Sequence, residues 1–169
     1  MWNGRRGALA LIAVSAGVLV YVIGGSSDED RILARLREIA RAVETRPDET
    51  DVARAARIDG VFETALEPGV TFGAPELPAV SGVRPLAVFA AAAPASFGEL
   101  TLSVGATDIH VEGAIAHAVS ELTLTGSRGG ELRREHRSVR CELRRSGAAW
   151  RVGAIEVEPE KEAQPEARP

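Results

Sequence analysis

Cysteine, methionine, tyrosine and lysine are almost missing from this chain. Its 169 residues include one Cys, one Met and one Tyr, and aromatics amount to 4%. Lys161 is the only Lys among 20 basic residues; the others are Arg. The single Cys141 excludes an intramolecular disulfide, a thiolate zinc centre and a CxxC redox pair. The shortage of aromatics means that any core is built from Leu, Val, Ile and Ala. Positive charge is not in excess: the net charge is −4, which excludes a general nucleic-acid binder. Arg in place of Lys, with abundant Ala and Gly, fits a GC-rich bacterial genome. The remainder is ordinary for one globular domain, with 45% hydrophobic and 26% charged residues.

Charge is also missing from residues 7–25, a run from Gly7 to Gly25. Nineteen helical residues span about 28 Å, the thickness of a bilayer's hydrocarbon core. Arg5 and Arg6 precede the run, and Asp28, Glu29 and Asp30 follow it. The positive-inside rule then places residues 1–6 in the cytoplasm and everything after residue 25 outside. The expectation is a single-pass anchor in a bacterial cytoplasmic membrane. A cleaved signal peptide, cut near Gly24-Gly25-Ser26, is the alternative; the apolar run exceeds the usual signal length.

The exported part reads as helices first and strands afterwards. Ser27 and Asp30 have the spacing of a capping box. Ile32, Leu33, Leu36, Ile39, Ala40 and Val43 then recur at helical spacing. Pro47 stops this helix. Asp48, Glu49 and Asp51 suit the first turn of a second helix, which Gly60 ends. A short third helix holds Phe62 and Leu66, and Pro68-Gly69 turns the chain. Val70-Thr71-Phe72 reads as a short strand and residues 73–82 as a loop. Residues 83–93 form another helix, closed by Pro94. From Phe97 onward the period is two. Gly105-Ala106 marks a β-bulge, and Glu112-Gly113 and Ser146-Gly147 read as hairpin turns. The tail, residues 159–169, is acidic and Pro-rich and reads as disordered.

This order of elements resembles the nuclear-transport-factor-2-like superfamily, the cystatin-like α+β cone. The segments that carry the likeness are ALEPGVTFGAPELPAVSGVRPLAVF, LTLSVGATDIHVEGAIAHAVSELTLTG and HRSVRCELRRSGAAWRVGAIEV. The resemblance implies N-terminal helices packed on a curved, mostly antiparallel sheet over residues 26–158. It also implies a pocket inside the cone, lined by Phe62, Phe72, Phe89, Cys141, Leu143 and Trp150. That lining is apolar and lacks a general base, and the same residues read more readily as a filled core. Isomerase members carry an acid just after the first strand, where Gly73 stands here. They also use a tyrosine on the first helix, and Tyr21 lies in the apolar run instead. In the superfamily the convex face of the sheet is a common dimer surface.

One pair has the chemistry of a general base. Around a Glu112-Gly113 turn, Asp108 falls opposite His117, with Cβ atoms about 5 Å apart. An Asp that orients a His is a familiar catalytic arrangement. Parity opposes it, because Ile109, Val111, Ala114, Ala116 and Ala118 form the apolar face and leave Asp108 and His117 pointing outward. The expectation is therefore no catalytic residue, with Asp108 and His117 as the reserve candidates. Three histidines without ligand spacing imply no metal, and no cofactor is implied.

Residues 128–151 hold eight Arg against three Glu. Alternation puts Arg134, His136, Arg140, Glu142 and Arg144 on the outward face of one strand. Arg134, Arg140 and Arg144 are the candidate contacts for an acidic envelope protein or polymer; a solvated face of Arg–Glu pairs is the other reading. Two function classes follow. One is a non-catalytic, membrane-anchored interaction or assembly domain, monomeric or weakly dimeric. Its layout resembles Mce-associated membrane proteins and inner-membrane assembly factors of type IV secretion. The other is a small-molecule binder or an isomerase- or dehydratase-like enzyme using the cone pocket.

Overall fold

The computed structural model describes residues 27–75, 77–128 and 131–159. The apolar run at 7–25 lies outside them, as does the tail from residue 160. No helix among the described residues is long and apolar enough to cross a membrane.

Helix α1 spans Asp28–Val43 and starts as its sequence demands. The Ser27 hydroxyl accepts from the Asp30 N–H, and the Asp30 carboxylate accepts from the Ser27 N–H, both at 3.1 Å. Ile32, Leu36 and Ala40 form its buried stripe. Helix α2 spans Asp51–Ala65, capped by the Thr50 hydroxyl. It runs through Gly60, so the expected break and separate third helix merge into one element. A mid-helix Gly costs about 1 kcal/mol. Burial of Phe62, one turn beyond Ile58 on the same stripe, returns about 1.5–3 kcal/mol and outweighs it.

Strand β1 is longer than expected, Leu66–Ala74. Pro68-Gly69 lies within it, where the register slips between Leu66 and Thr71, rather than turning the chain. The expected loop at 73–82 contains strand β2, Leu77–Ser81. Pro78 hides this strand from a sequence reading. It is tolerated because β2 is an edge strand, so its missing N–H leaves no gap in the ladder. Helix α3 spans Val83–Phe97 and carries Pro94 inside it. The chain ends the helix one turn later, with Gly98 at φ 69° donating to the Pro94 carbonyl at 2.7 Å.

Strands β3 (Glu99–Glu112), β4 (Ile115–Arg128), β5 (Glu131–Ser146) and β6 (Ala149–Val157) follow. The six strands form one mixed sheet in the order β2-β1-β6-β5-β4-β3, with β1 and β6 parallel and every other pair antiparallel. The expected bulge is present: the β3–β4 register shifts between Val104 and Thr107. The three helices cover the inner face. Ile32, Ile58, Phe62 and Leu86 meet Ala116, Ala118, Leu143, Trp150 and Val152 in one continuous core.

Both hairpin turns sit one residue later than expected. Glu112 pairs with Ile115 and Ser146 with Ala149, so the loops are Gly113-Ala114 and Gly147-Ala148. Each Gly adopts φ 62°. A positive φ at the first central position is what a II′ turn requires, and only Gly takes it without steric cost.

Candidate functional site

The shifted turn changes which side chains meet. Asp108 lies opposite Val119, and His117 lies opposite His110. The Asp108–His117 pairing is therefore corrected: a turn displaced by one residue moves every cross-strand partner by two. Both residues are exposed and point outward, as parity indicated. His110 Nε2 instead bonds the Glu112 carboxylate at 3.0 Å, with both side chains exposed. His136 Nδ1 bonds the Thr123 hydroxyl at 3.1 Å. No group of three or more His, Cys, Asp or Glu among the described residues is placed to hold a metal ion.

The six residues expected to line the pocket converge, but as packing. Phe62, Cys141, Leu143 and Trp150 are buried in the core, and Phe72 and Phe89 pack against it. The rings of Phe72 and Phe89 lie with centroids 5.8 Å apart and tilted by 42°, a favourable aromatic geometry. At Gly73, where the resemblance implied that isomerase members carry an acid, an added Cβ would meet nothing within 4 Å.

Polar groups inside are few. Among the described residues the buried polar or charged side chains are Arg54 and Ser120. Ser120 bonds the Thr107 hydroxyl at 3.1 Å, and an Arg54 nitrogen pairs with Asp51 at the surface. Among the described residues no carboxylate and no imidazole is buried. Burial pushes the Cys141 thiol up to about 12, which keeps it a neutral apolar filler rather than a nucleophile.

On the outer face of β5 the three arginines differ. Arg140 pairs with Glu158 at 2.8 Å and Arg144 with Glu142 at 3.0 Å. Arg134 is exposed beside Thr125 and makes no such pair among the described residues. The local positive excess is thus partly neutralised within the domain.

Two charged knots were not foreseen. Asp28 accepts from Trp150 Nε1 at 3.1 Å and pairs with Arg145, whose guanidinium stacks over the Trp150 ring at 4.8 Å. Arg57 donates to the carbonyls of Arg41, Ala42 and Glu44 and to both oxygens of Glu49, over distances of 2.5–3.2 Å. The acids themselves were visible as first-turn residues; their partners lie across the fold, beyond any local pattern.

No family model matches the chain, and no curated protein matches it by sequence. Solved structures do match. An NTF2-like protein with a cystatin-like fold from Novosphingobium aromaticivorans superposes with a TM-score of 0.61 at 16% identity, covering 93% of this chain and 90% of that one. A candidate dehydratase of the NTF2-like family from Streptomyces avermitilis gives 0.63 at 15% identity, over 78% and 95% of the two chains. The CaMKII hub of S. rosetta gives 0.61 at 12% identity, over 79% and 98%. The chain therefore has the nuclear-transport-factor-2-like, cystatin-like cone fold. Neighbours this diverse in what they do establish the fold and leave function to the site.

Proposed function

We propose that the chain is a non-catalytic interaction or assembly domain of the bacterial envelope, held at the cytoplasmic membrane by residues 7–25. In this reading residues 1–6 lie in the cytoplasm, and the domain stands outside and meets an acidic partner through the outer face of β5. The observation that carries the non-catalytic half is the interior: among the described residues the buried side chains are apolar apart from Arg54 and Ser120, and none is a carboxylate or an imidazole. The membrane half rests on the uncharged run between Arg5-Arg6 and Asp28-Glu29-Asp30. Arg134 supplies an exposed cation with no ion pair among the described residues, and Arg140 and Arg144 would exchange their present Glu partners for the acidic one. An isomerase- or dehydratase-like enzyme would need a proton acceptor inside the cone, and the candidates Asp108 and His117 are on the other side of the sheet.

Alkaline phosphatase fused after Pro169 in a bacterial host tests the topology. The fusion is expected to be active, and the protein to stay in the membrane pellet after carbonate extraction. An inactive fusion overturns the orientation; release of a shortened protein overturns the anchor in favour of a cleaved signal. Crosslinking and pull-down from membranes tests the partner. Replacing Arg134, Arg140 and Arg144 with Gln is expected to abolish recovery of the acidic partner, and recovery unaffected by the triple variant and by salt would leave that face merely solvated.

A further inference from the structure

Helices α2 and α3 and the starts of β1 and β6 enclose an open groove of about 460 Å³. The buried Leu66 forms part of its apolar lining together with Pro85. Four charges also line it: Asp59 and Glu63 from α2, Arg84 from the first turn of α3, and Arg151 from β6. Asp59 and Glu63 are four residues apart on one helix and so share a face. The two guanidinium groups come from different elements. Among the described residues none of these four side chains has an ion-pair or hydrogen-bond partner. Elsewhere the molecule engages its arginines freely: Arg57, Arg140, Arg144 and Arg145 each hold a carboxylate. Here two acids and two arginines share one groove without pairing. The groove thus keeps a cationic and an anionic site within reach of a single small molecule.

We propose that this groove binds a small zwitterion, an ammonium and a carboxylate joined by a short apolar chain. The ammonium meets Asp59 and Glu63, the carboxylate meets Arg84 and Arg151, and the intervening methylenes lie on Leu66 and Pro85. The volume suits a small molecule. An exposed ion pair alone is worth little. When both charges belong to one molecule, the first contact raises the effective concentration of the second, and the bifunctional ligand exceeds either half. Binding makes and breaks no covalent bond, and it does not depend on the membrane reading.

The test is a titration of the full chain followed by amide NMR. The probes are glycine, 4-aminobutanoate and 6-aminohexanoate, with hexanoate and hexylammonium as single-charge controls. At least one ω-amino acid is expected to shift the amides of Glu63, Gly82 and Arg84, and to saturate at about tenfold lower concentration than either control. Two double variants, Arg84→Gln with Arg151→Gln and Asp59→Asn with Glu63→Gln, are each expected to raise that concentration about tenfold, with the remaining spectrum unchanged. Three results overturn the proposal: no amino acid shifts these amides, a control matches the best amino acid, or both double variants bind as the unaltered chain does. The groove residues are mostly surface groups, and the spectrum itself reports whether a variant is folded.

Discussion

At the scale of single residues, the domain is stapled by charged groups that each serve several partners. Arg57 is the clearest. The last carbonyls of a helix have no intrahelical donor, and the Arg57 guanidinium supplies one to three carbonyls at the end of α1 while Glu49 neutralises it. Arg57→Ala is expected to lower stability by about 2 kcal/mol, the range for hydrogen bonds to a charged group. Arg57→Lys should recover little, because an ammonium cannot reproduce the planar fork. Urea unfolding of both variants checks this; a Lys variant as stable as the original would mean that charge alone matters. Acidification probes the same staples. The hydrogen bond from Trp150 and then Arg145 hold the Asp28 carboxyl below its ordinary 3.8, and the hydrogen bond from Arg57 holds Glu49 below 4.5. A carboxyl with a depressed folded pKa contributes stability that is complete above its unfolded value and is lost as pH falls through the folded one. The urea midpoint is therefore expected to stay level down to about pH 5 and to fall below it. Combining Asp28→Asn with Glu49→Gln should flatten that fall, and an equally steep fall would assign it to other carboxyls.

At the scale of elements, three glycines make opposite predictions. Gly60 lies mid-helix in α2, exposed, with nothing within 4 Å of an added Cβ. Gly60→Ala is expected to stabilise by about 0.5–1 kcal/mol. Gly113 and Gly147 occupy φ 62° at the head of their turns, and Ala at either should cost about 1 kcal/mol or more. Thermal melts rank the three, and a destabilising Gly60→Ala would restore the helix break that Gly60 suggests by composition. These glycines also mark how far the sequence can be read. Periodicity located α1, α3 and the four long strands, because burying one face imposes a period of 3.6 or 2 on any chain. Ser27 and Asp30 announced the start of α1 through a bond between residues three apart. Gly60, Pro68-Gly69 and Pro78 misled, since each is a local breaker that tertiary packing or an edge position overrides. The turns were legible as turns but not in register. Glu112-Gly113 and Gly113-Ala114 are both acceptable hairpin loops, and the difference moved His117 from Asp108 to His110. Of the candidate site, the apolar pocket residues were recognisable by type. Whether they enclosed space or filled it depended on the helices above them, which no strand pattern encodes.

At the scale of the whole molecule, the start of α1 is tied to one end of the sheet. Asp28 is tied to Arg145 and Trp150, and the Arg145 N–H donates to the Ala114 carbonyl at 2.8 Å. The start of α1 and both Gly-Ala turns therefore share one end of the sheet, and β5 runs towards that end from Arg134 near the other. The outer face between them decides self-association. It presents Asp108, His110, His117, Arg140, Glu142 and Arg144, with Ile115 and Val119 each 40% exposed. Charged residues are depleted from the cores of stable interfaces, and two half-exposed aliphatic side chains do not make a continuous apolar patch. The expectation is a monomer or a weak dimer when residues 1–25 are removed. Light scattering at low and high salt measures it. A charged face that attracts its own copy does so through screened pairs, so any association should weaken as the Debye length shrinks. A tight dimer that persists at high salt, and that Val119→Lys splits into single copies, would show instead that the aliphatic pair nucleates an interface and that the surrounding charges are only its rim.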